Sequence, residues 1–299
     1  MGADVAVVLA RGGCRVTVTD PSIARRNELA PRTLDALSSL GLAGRAANVQ
    51  TVADLSDVAW ADVALVIECI PENLSAKQAL FTELVQLAPA HTVLTSNSSS
   101  FPISAIGQGL PSQARMLGLH FFMPAHLVPL VEVVMGPQTD EATAQRLLSY
   151  MRGCASVPVL VRKDKPGFLA NRLQHALARE AFAMMDEGVA TAEDVDAAVR
   201  FGFGFRYLAA GPVLQRDHAG LDVHCAAAAT MYPSLSSTTE PARVLQDHVR
   251  ANRLGMKTGA GFYEWPEARR LAERARYDRL LQQGLDLLAD ELPPLDKTF

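Results

Sequence analysis

Short apolar runs alternate with longer amphipathic ones through the first half of the chain. The β-rich runs are "CRVTVTD" (14–20), "ALVIECI" (64–70), "HTVLTSN" (91–97), "RMLGLHFF" (115–122), "LVEVV" (130–134) and "SVPVLVR" (156–162). Between them lie helical stretches such as "ENLSAKQALFTELVQLAP" (72–89), whose Leu74, Ala76, Leu80, Leu84 and Leu87 fall near one face. This alternation predicts an α/β fold with a parallel, doubly wound sheet. "ALVIECI" is apolar but for Glu68, as a strand covered on both faces should be. After "KDKPGF" (163–168) the pattern becomes helical almost throughout. "GFLANRLQHALAREAFAMMDEG" (167–188) predicts a long helix stopped at Gly188, and "TAEDVDAAVRFG" (191–202) opens with a capping-box pattern. The break near Pro166 divides the chain into a domain over 1–165 and an all-α C-terminal domain over 166–299.

The opening stretch, "MGADVAVVLARGGCRVTVTD" (1–20), admits three readings. Residues 5–10 and 14–20 could form a hairpin closed by Arg11-Gly12-Gly13. Residues 5–10 could instead be the first strand of a dinucleotide-binding unit, but no helix N-terminus follows "RGG" to receive a pyrophosphate. In the third reading Gly2 is the last glycine of a G-x-G-x-x-G motif, residues 3–11 are its helix and 14–20 its second strand. Asp20 then stands where an acid binds adenosine ribose hydroxyls.

Composition narrows the function class. The 299 residues suffice for two domains, and a net charge of −4 argues against a nucleic-acid partner. The run "EARRLAERARYDR" (267–279) alternates sign like a solvated helix face. Cys14, Cys69, Cys154 and Cys225 are widely spaced in sequence and read as buried free thiols of a cytoplasmic protein, with no zinc motif. No apolar run reaches the ~18 residues of a membrane span, and no metal-ligand pattern links the histidines.

Four polar positions carry the chemistry. Ser99 lies in "TSNSSSF", His120 ends "GLH", Glu132 sits in "LVEVV" and Asn171 opens the long helix in "KPGFLANRL". Oxidising an alcohol requires a base for the hydroxyl proton, and histidine is suited to that exchange near neutrality. A carboxylate on the other ring nitrogen would orient the imidazole and offset its charge, a role that Glu132 fits.

In order and spacing, S-N-x-S-S, G-L-H-F-F, L-V-E-V, D-x-P-G-F-x-x-N-R and "GMKTGAGFYEW" (255–265) resemble the L-3-hydroxyacyl-CoA dehydrogenase family. The resemblance implies a Rossmann-type domain, NAD as cofactor and oxidation of an (S)-3-hydroxyacyl-CoA to the 3-ketoacyl-CoA in fatty acid metabolism. It implies His120 as base, Glu132 as its partner, and Ser99 and Asn171 as hydrogen-bonding groups on the reacting oxygen or acyl carbonyl. "VIECIPENLSAK" (66–77) resembles the family's strand and loop over the nicotinamide ribose, which places Glu72 and Lys77. With Gly2, Asp20 and Asn97 these complete the implied cofactor set. The family also implies a homodimer through the C-terminal domain.

Departures from the family open alternatives. Its leading glycine motif is represented only by "MG", so the expectation is an N-terminally truncated domain lacking the first strand, with weak NAD binding. Met123 replaces an asparagine, and 21–52 carries Arg25, Arg26 and Arg32 but no lysine-rich excursion for CoA phosphates. "GFGFRYLAAGP" (202–212) is similar to the family branch that contains L-gulonate 3-dehydrogenase, which handles free hydroxy acids. Arg206 could there clamp a substrate carboxylate. A hydrolase built on Ser, His and Glu would need a G-x-S-x-G elbow, which "NSSSF" does not provide. A non-catalytic structural oligomer is the remaining alternative.

Overall fold

The computed structural model describes residues 1–295. By packing, the chain divides into two compact units, Met1–Arg172 with the segment from Ala289, and Leu173–Leu288.

In the first unit the elements run α1 (Gly2–Arg11), β1 (Val16–Thr19), α2 (Ile23–Ser38), β2 (Val49–Val52), β3 (Leu65–Glu68), α3 (Leu74–Leu87), β4 (Val93–Ser96), α4 (Ile103–Ile106), β5 (Met116–Phe121), β6 (Leu130–Met135), α5 (Glu141–Gly153) and β7 (Val157–Val161). The run 5–10 is therefore helix, which removes the hairpin and first-strand readings. The helix stops because Gly13 takes φ +83°, letting its amide reach Ala10 O and the Cys14 amide reach Leu9 O. β2 has no counterpart among the runs read from sequence. "VQTV" is short, and both its middle residues are exposed, so no apolar signal marks it.

The strands form two sheets where one is expected. β1 pairs in parallel with β2, and β3-β4-β5-β6-β7 form a second sheet. Helix α1 packs on both: Ala6 lies in a cluster with Val16 and Leu29, while Val5 and Val8 join Leu117, Leu119, Val131 and Val133. Strands β3, β4 and β5 are parallel, β5 and β6 antiparallel, and β6 and β7 parallel again.

In helix α3, Leu84 is buried and Leu74 and Leu80 pack with it as expected, while Ala76 is exposed and Lys77 and Phe81 are buried, Lys77 against Glu68. The segment between α5 and β7 is a tight turn in which Ala155 has φ +52°.

Helix α6 (Ala170–Asp186) begins in the first unit and continues into the second. The second unit then carries α7 (Ala192–Ala198), α8 (Gly204–Arg206), α9 (Leu214–Ala219), α10 (Leu221–Met231), α11 (Arg243–Arg250) and α12 (Glu267–Leu287). Thr191 and Asp194 form the expected reciprocal cap of α7. Among the described residues this unit has isolated bridges at Gly255, Ala260 and Glu264 but no extended strand. No helix among the described residues is long and apolar enough to cross a membrane.

Candidate active site

Two neighbouring strands set the central pair. The antiparallel register of β5 and β6 puts His120 directly opposite Glu132, on the same face of the sheet. Both side chains are buried, and His120 Nδ1 lies 2.8 Å from Glu132 Oε2. An ionised carboxylate only accepts, so this contact places the ring proton on Nδ1 and leaves Nε2 as the acceptor.

The other carboxylate oxygen is held by backbone. Leu169 N donates to Glu132 Oε1 at 3.0 Å and Ala170 N at 2.8 Å. These amides open α6, where helical N–H groups have no intrahelical partner and favour negative charge. A turn with two left-handed residues in succession presents them, Gly167 at φ +75° and Phe168 at φ +51°. Phenylalanine is rare in that region, so the surrounding structure imposes this conformation. The result also places the Phe168 ring 5.6 Å from the His120 ring, with Phe122 edge-on at 4.6 Å on another side. Two aromatic walls thus shield the imidazole from water.

Ser99 and Asn171 come together at the rim. Asn171 Nδ2 donates to the Ser99 carbonyl at 3.4 Å, and the Ser99 side chain is exposed. Asn97 sits at the end of β4 and its Oδ1 accepts from the Phe121 amide at 2.8 Å, so it ties β4 to the His120 strand.

Beside this pair lies a second polar cluster. Lys77 Nζ donates to Glu68 Oε1 at 2.7 Å and lies 3.3 Å from Glu72 Oε2. Lys77 and Glu68 are fully enclosed, and Ser96 Oγ and Ile70 N also donate to Glu68, at 2.5 and 2.6 Å. Glu72 is partly exposed and accepts from Ser98 Oγ, Ser100 Oγ and Ser100 N at 2.6, 2.6 and 3.0 Å. Burial alone would raise its carboxyl, but the hydrogen bonds from Ser100 and Ser98 and the Lys77 charge bring it down to about 2. Glu72 is therefore an anion at any ordinary pH.

At the other sheet, Asp20 directly follows β1. Its Oδ1 accepts from Ser22 N at 2.9 Å and its Oδ2 lies 3.6 Å from Arg25. Gly2 opens α1, and a Cβ there would meet Cys69 Cβ at 3.6 Å, an ordinary contact. Asp4, buried in the first turn of α1, is hydrogen-bonded by Arg32 and faces His126 Nδ1 at 3.5 Å. Burial would raise the Asp4 carboxyl, but His126 and Arg32 hold it below its ordinary value. Arg206 lies in the second unit, exposed at the end of α8.

Sequence reasoning placed His120, Glu132, Glu72 and Lys77 near this chemistry, but it missed Glu68, Ser96, Ser98 and Ser100. It also singled out Ser99 from a run of three serines. Alternation along the extended "SNSSS" would have flagged Ser96, Ser98 and Ser100 as one face and Ser99 as the other. Glu68 is an acid inside an apolar strand, which is itself a signal that a buried partner exists.

Family models match the chain in two consecutive pieces. The NAD binding domain of 3-hydroxyacyl-CoA dehydrogenase matches residues 1–165, and the C-terminal domain of 3-hydroxyacyl-CoA dehydrogenase matches residues 167–265. The 5-formyl-3-hydroxy-2-methylpyridine 4-carboxylate 5-dehydrogenase of Mesorhizobium japonicum is 34% identical over 284 residues, covering 92% of each chain. A crystal structure of an enzyme of that name, described as an NAD+-dependent dismutase, superposes with a TM-score of 0.89 at 31% identity. That superposition covers 96% of this chain and 95% of the other. The (S)-3-hydroxybutyryl-CoA dehydrogenase of Ralstonia eutropha superposes with a TM-score of 0.73 at 26% identity, covering 89% of this chain and 96% of that one. This chain belongs to the 3-hydroxyacyl-CoA dehydrogenase family of NAD-dependent oxidoreductases.

Proposed function

We propose that this enzyme oxidises an alcohol on a small molecule bearing a free carboxylate, with His120 as the base. The observation that carries the chemistry is the enclosed His120–Glu132 pair, whose carboxylate is fixed by the amides of Leu169 and Ala170. His120 Nε2 takes the hydroxyl proton, and Glu132 offsets the imidazolium charge that results. Neither partner has to move, because strand register and a helix start hold both. The Ser99 hydroxyl and the Asn171 amide bind the reacting oxygen or its neighbouring carbonyl. Arg206 is the candidate for the substrate carboxylate.

The donor set fits NAD. Asp20 and the ionised Glu72 offer carboxylate oxygens to ribose hydroxyls, and the opening turn of α1 at Gly2 offers free amides to phosphate. Lys77 and Asn97 complete the set by holding Glu72 and the end of β4 in place. When bound, NAD supplies the hydride acceptor. The acid at Asp20 favours NAD over a cofactor with a 2′-phosphate.

Three features support the free-carboxylate substrate. Likeness to the pyridine carboxylate dehydrogenase extends over nearly the whole chain. The arginines of α2 are committed within the chain: Arg32 to Asp4, Arg25 to Asp20, and Arg26 to the Asp20 carbonyl at 2.5 Å. Exposed Met123 and Leu169 adjoin Phe122 and Phe168 in sequence, giving the rim apolar surface for a flat ring or short chain. The second reading is (S)-3-hydroxyacyl-CoA oxidation, which the S-N-x-S-S and G-L-H-F-F motifs favour. We further propose residues 1–165 as the cofactor domain, residues 166–299 as the substrate and dimerisation domain, and a cytoplasmic homodimer.

The deciding experiment measures NADH formation with aromatic hydroxymethyl carboxylates, free 3-hydroxy acids and 3-hydroxyacyl-CoAs. Turnover of a free acid with none of the thioesters is expected. Efficient oxidation of a thioester alone would establish the second reading. R206A should lose the free acid as substrate by at least tenfold in kcat/KM while leaving NADH binding intact.

A further inference from the structure

Strand β3 ends on an acid and helix α3 buries a lysine, and both side chains are fully enclosed. The Lys77 ammonium has three donors to place. It donates to Glu68 Oε1 at 2.7 Å and to the Ile70 carbonyl at 3.2 Å, and it stands 3.3 Å from Glu72 Oε2. Glu68 meets donors alone: Lys77 and the Ile70 amide at Oε1, and Ser96 Oγ at Oε2. That is the set a carboxylate takes, since a carboxyl proton would need an acceptor. The contacts then close into a ring. Ser96 Oγ accepts from Ser98 N at 3.1 Å, Ser98 Oγ donates to Glu72 Oε1 at 2.6 Å, and Lys77 leads from Glu72 back to Glu68.

Two carboxylates share one ammonium, and they share it unequally. Glu68 is the nearer, and it is enclosed, where attraction between charges is screened least. Glu72 is partly exposed and draws its stabilisation elsewhere. Burial raises its carboxyl, the hydrogen bonds of Ser100 and then Ser98 do most to bring it down to about 2, and the Lys77 charge does least. All three serine bonds fall on Glu72 Oε1, so among the described residues Oε2 has Lys77 alone beside it.

We propose that Glu68 is a positioning residue for the cofactor: it holds the Lys77 ammonium in the interior and so keeps Glu72 Oε2 open to a ribose hydroxyl. The inference rests on the reading of Glu72 as a carboxylate for that ribose. Without the Glu68 charge the ammonium turns to Glu72, the other carboxylate beside it, and closes a tight ion pair over Oε2. An incoming hydroxyl then competes with an ammonium for the same oxygen. Glu68 also secures the other side of the ring, through Ser96 to the Ser98 amide, and its own carbonyl accepts from Asn97 N at 2.8 Å. The Cys69 thiol beside it is pushed up to about 12, by burial first and then by the Glu68 charge. Cys225, elsewhere in the chain, is exposed, which corrects the expectation that all four thiols are buried.

The test measures NAD binding by calorimetry to the full chain and to its E68Q, E68Q/K77M and E72A variants. E68Q keeps the size of the side chain and removes its charge. It should weaken NAD binding about tenfold, with the loss falling on the KM for NAD more than on kcat. Adding K77M removes the ammonium that covers Glu72, so the double variant should regain most of that tenfold. A residue that only supported the fold would make the double variant the weaker binder. Replacing both members of an enclosed ion pair is tolerated better than removing one, so the double variant keeps the test open if E68Q folds poorly. E72A should itself bind NAD at least about tenfold more weakly. Unchanged binding by E72A would overturn the ribose reading of Glu72 and this proposal with it. If E72A is weakened, unchanged binding by E68Q, or a double variant no better than E68Q, would overturn the role of Glu68 alone.

Discussion

Glu132 and Glu72 are both carboxylates that accept three hydrogen bonds within one unit, yet they are built differently. Glu132 is held by strand register and by two backbone amides at a helix start, with one side-chain partner, His120. Glu72 is held mainly by side chains, the hydroxyls of Ser98 and Ser100 and the Lys77 ammonium, with one backbone amide. At Oε1 the first arrangement cannot be loosened by changing a side chain, since both donors there belong to the backbone. The second can be taken apart residue by residue. A base that must stay aligned through proton transfer suits the rigid construction. A carboxylate that must meet an incoming hydroxyl group suits the adjustable one.

The sharpest way to break this comparison is E132Q. Backbone amides at Oε1 fix the glutamine carbonyl there and turn its NH2 toward His120, which forces the ring proton onto Nε2. The base is then blocked, and kcat should fall by roughly 10²–10⁴ with the melting temperature little changed. Steady-state kinetics at saturating NAD measure this, and a loss under tenfold would remove Glu132 from the chemistry.

K77M should act on stability first. It strands Glu68 with only Ser96 and the Ile70 amide for partners, an enclosed charge that costs ~3–5 kcal/mol. Denaturant unfolding reads this directly. A change below ~1 kcal/mol would mean that Glu68 simply takes up a proton.

The smallest effect is expected from S98A combined with S100A. Because the folded-state pKa of Glu72 lies below its unfolded value, the carboxylate contributes stability that is present above about pH 4.5 and lost as pH falls toward about 2. Without the serine hydroxyls that window narrows toward pH 4.5, so acid unfolding should begin at higher pH. The KM for NAD should rise a few fold while kcat holds. An unchanged acid transition together with an unchanged KM would show that Lys77 alone sets Glu72.

Much of the site was legible because local rules reach it. His120 and Glu132 lie on successive apolar runs that were expected to pair, and the observed register sets the two residues opposite each other. The reading of α3 held for Leu74, Leu80 and Leu84 but not for Ala76, which is exposed, and apolar periodicity could not mark Lys77, which lies buried against the carboxylates of Glu68 and Glu72. That Ser98 and Ser100 anchor Glu72 was not legible, because a run of three serines carries no hydrophobic signal to set its phase.

By itself the sequence determined the alternation of strands and helices, the cap at Thr191 and the pairing of a histidine with a glutamate, and it held the helix after Gly2 as one of three readings. Each depends on contacts within a few residues or between adjacent strands. Only the tertiary structure decided that the amides of Leu169 and Ala170, 37 and 38 positions away, would clasp Glu132. It likewise decided that β1 and β3 would belong to separate sheets, with α1 packed against both. Such contacts are fixed by how whole elements pack, and no local periodicity records them.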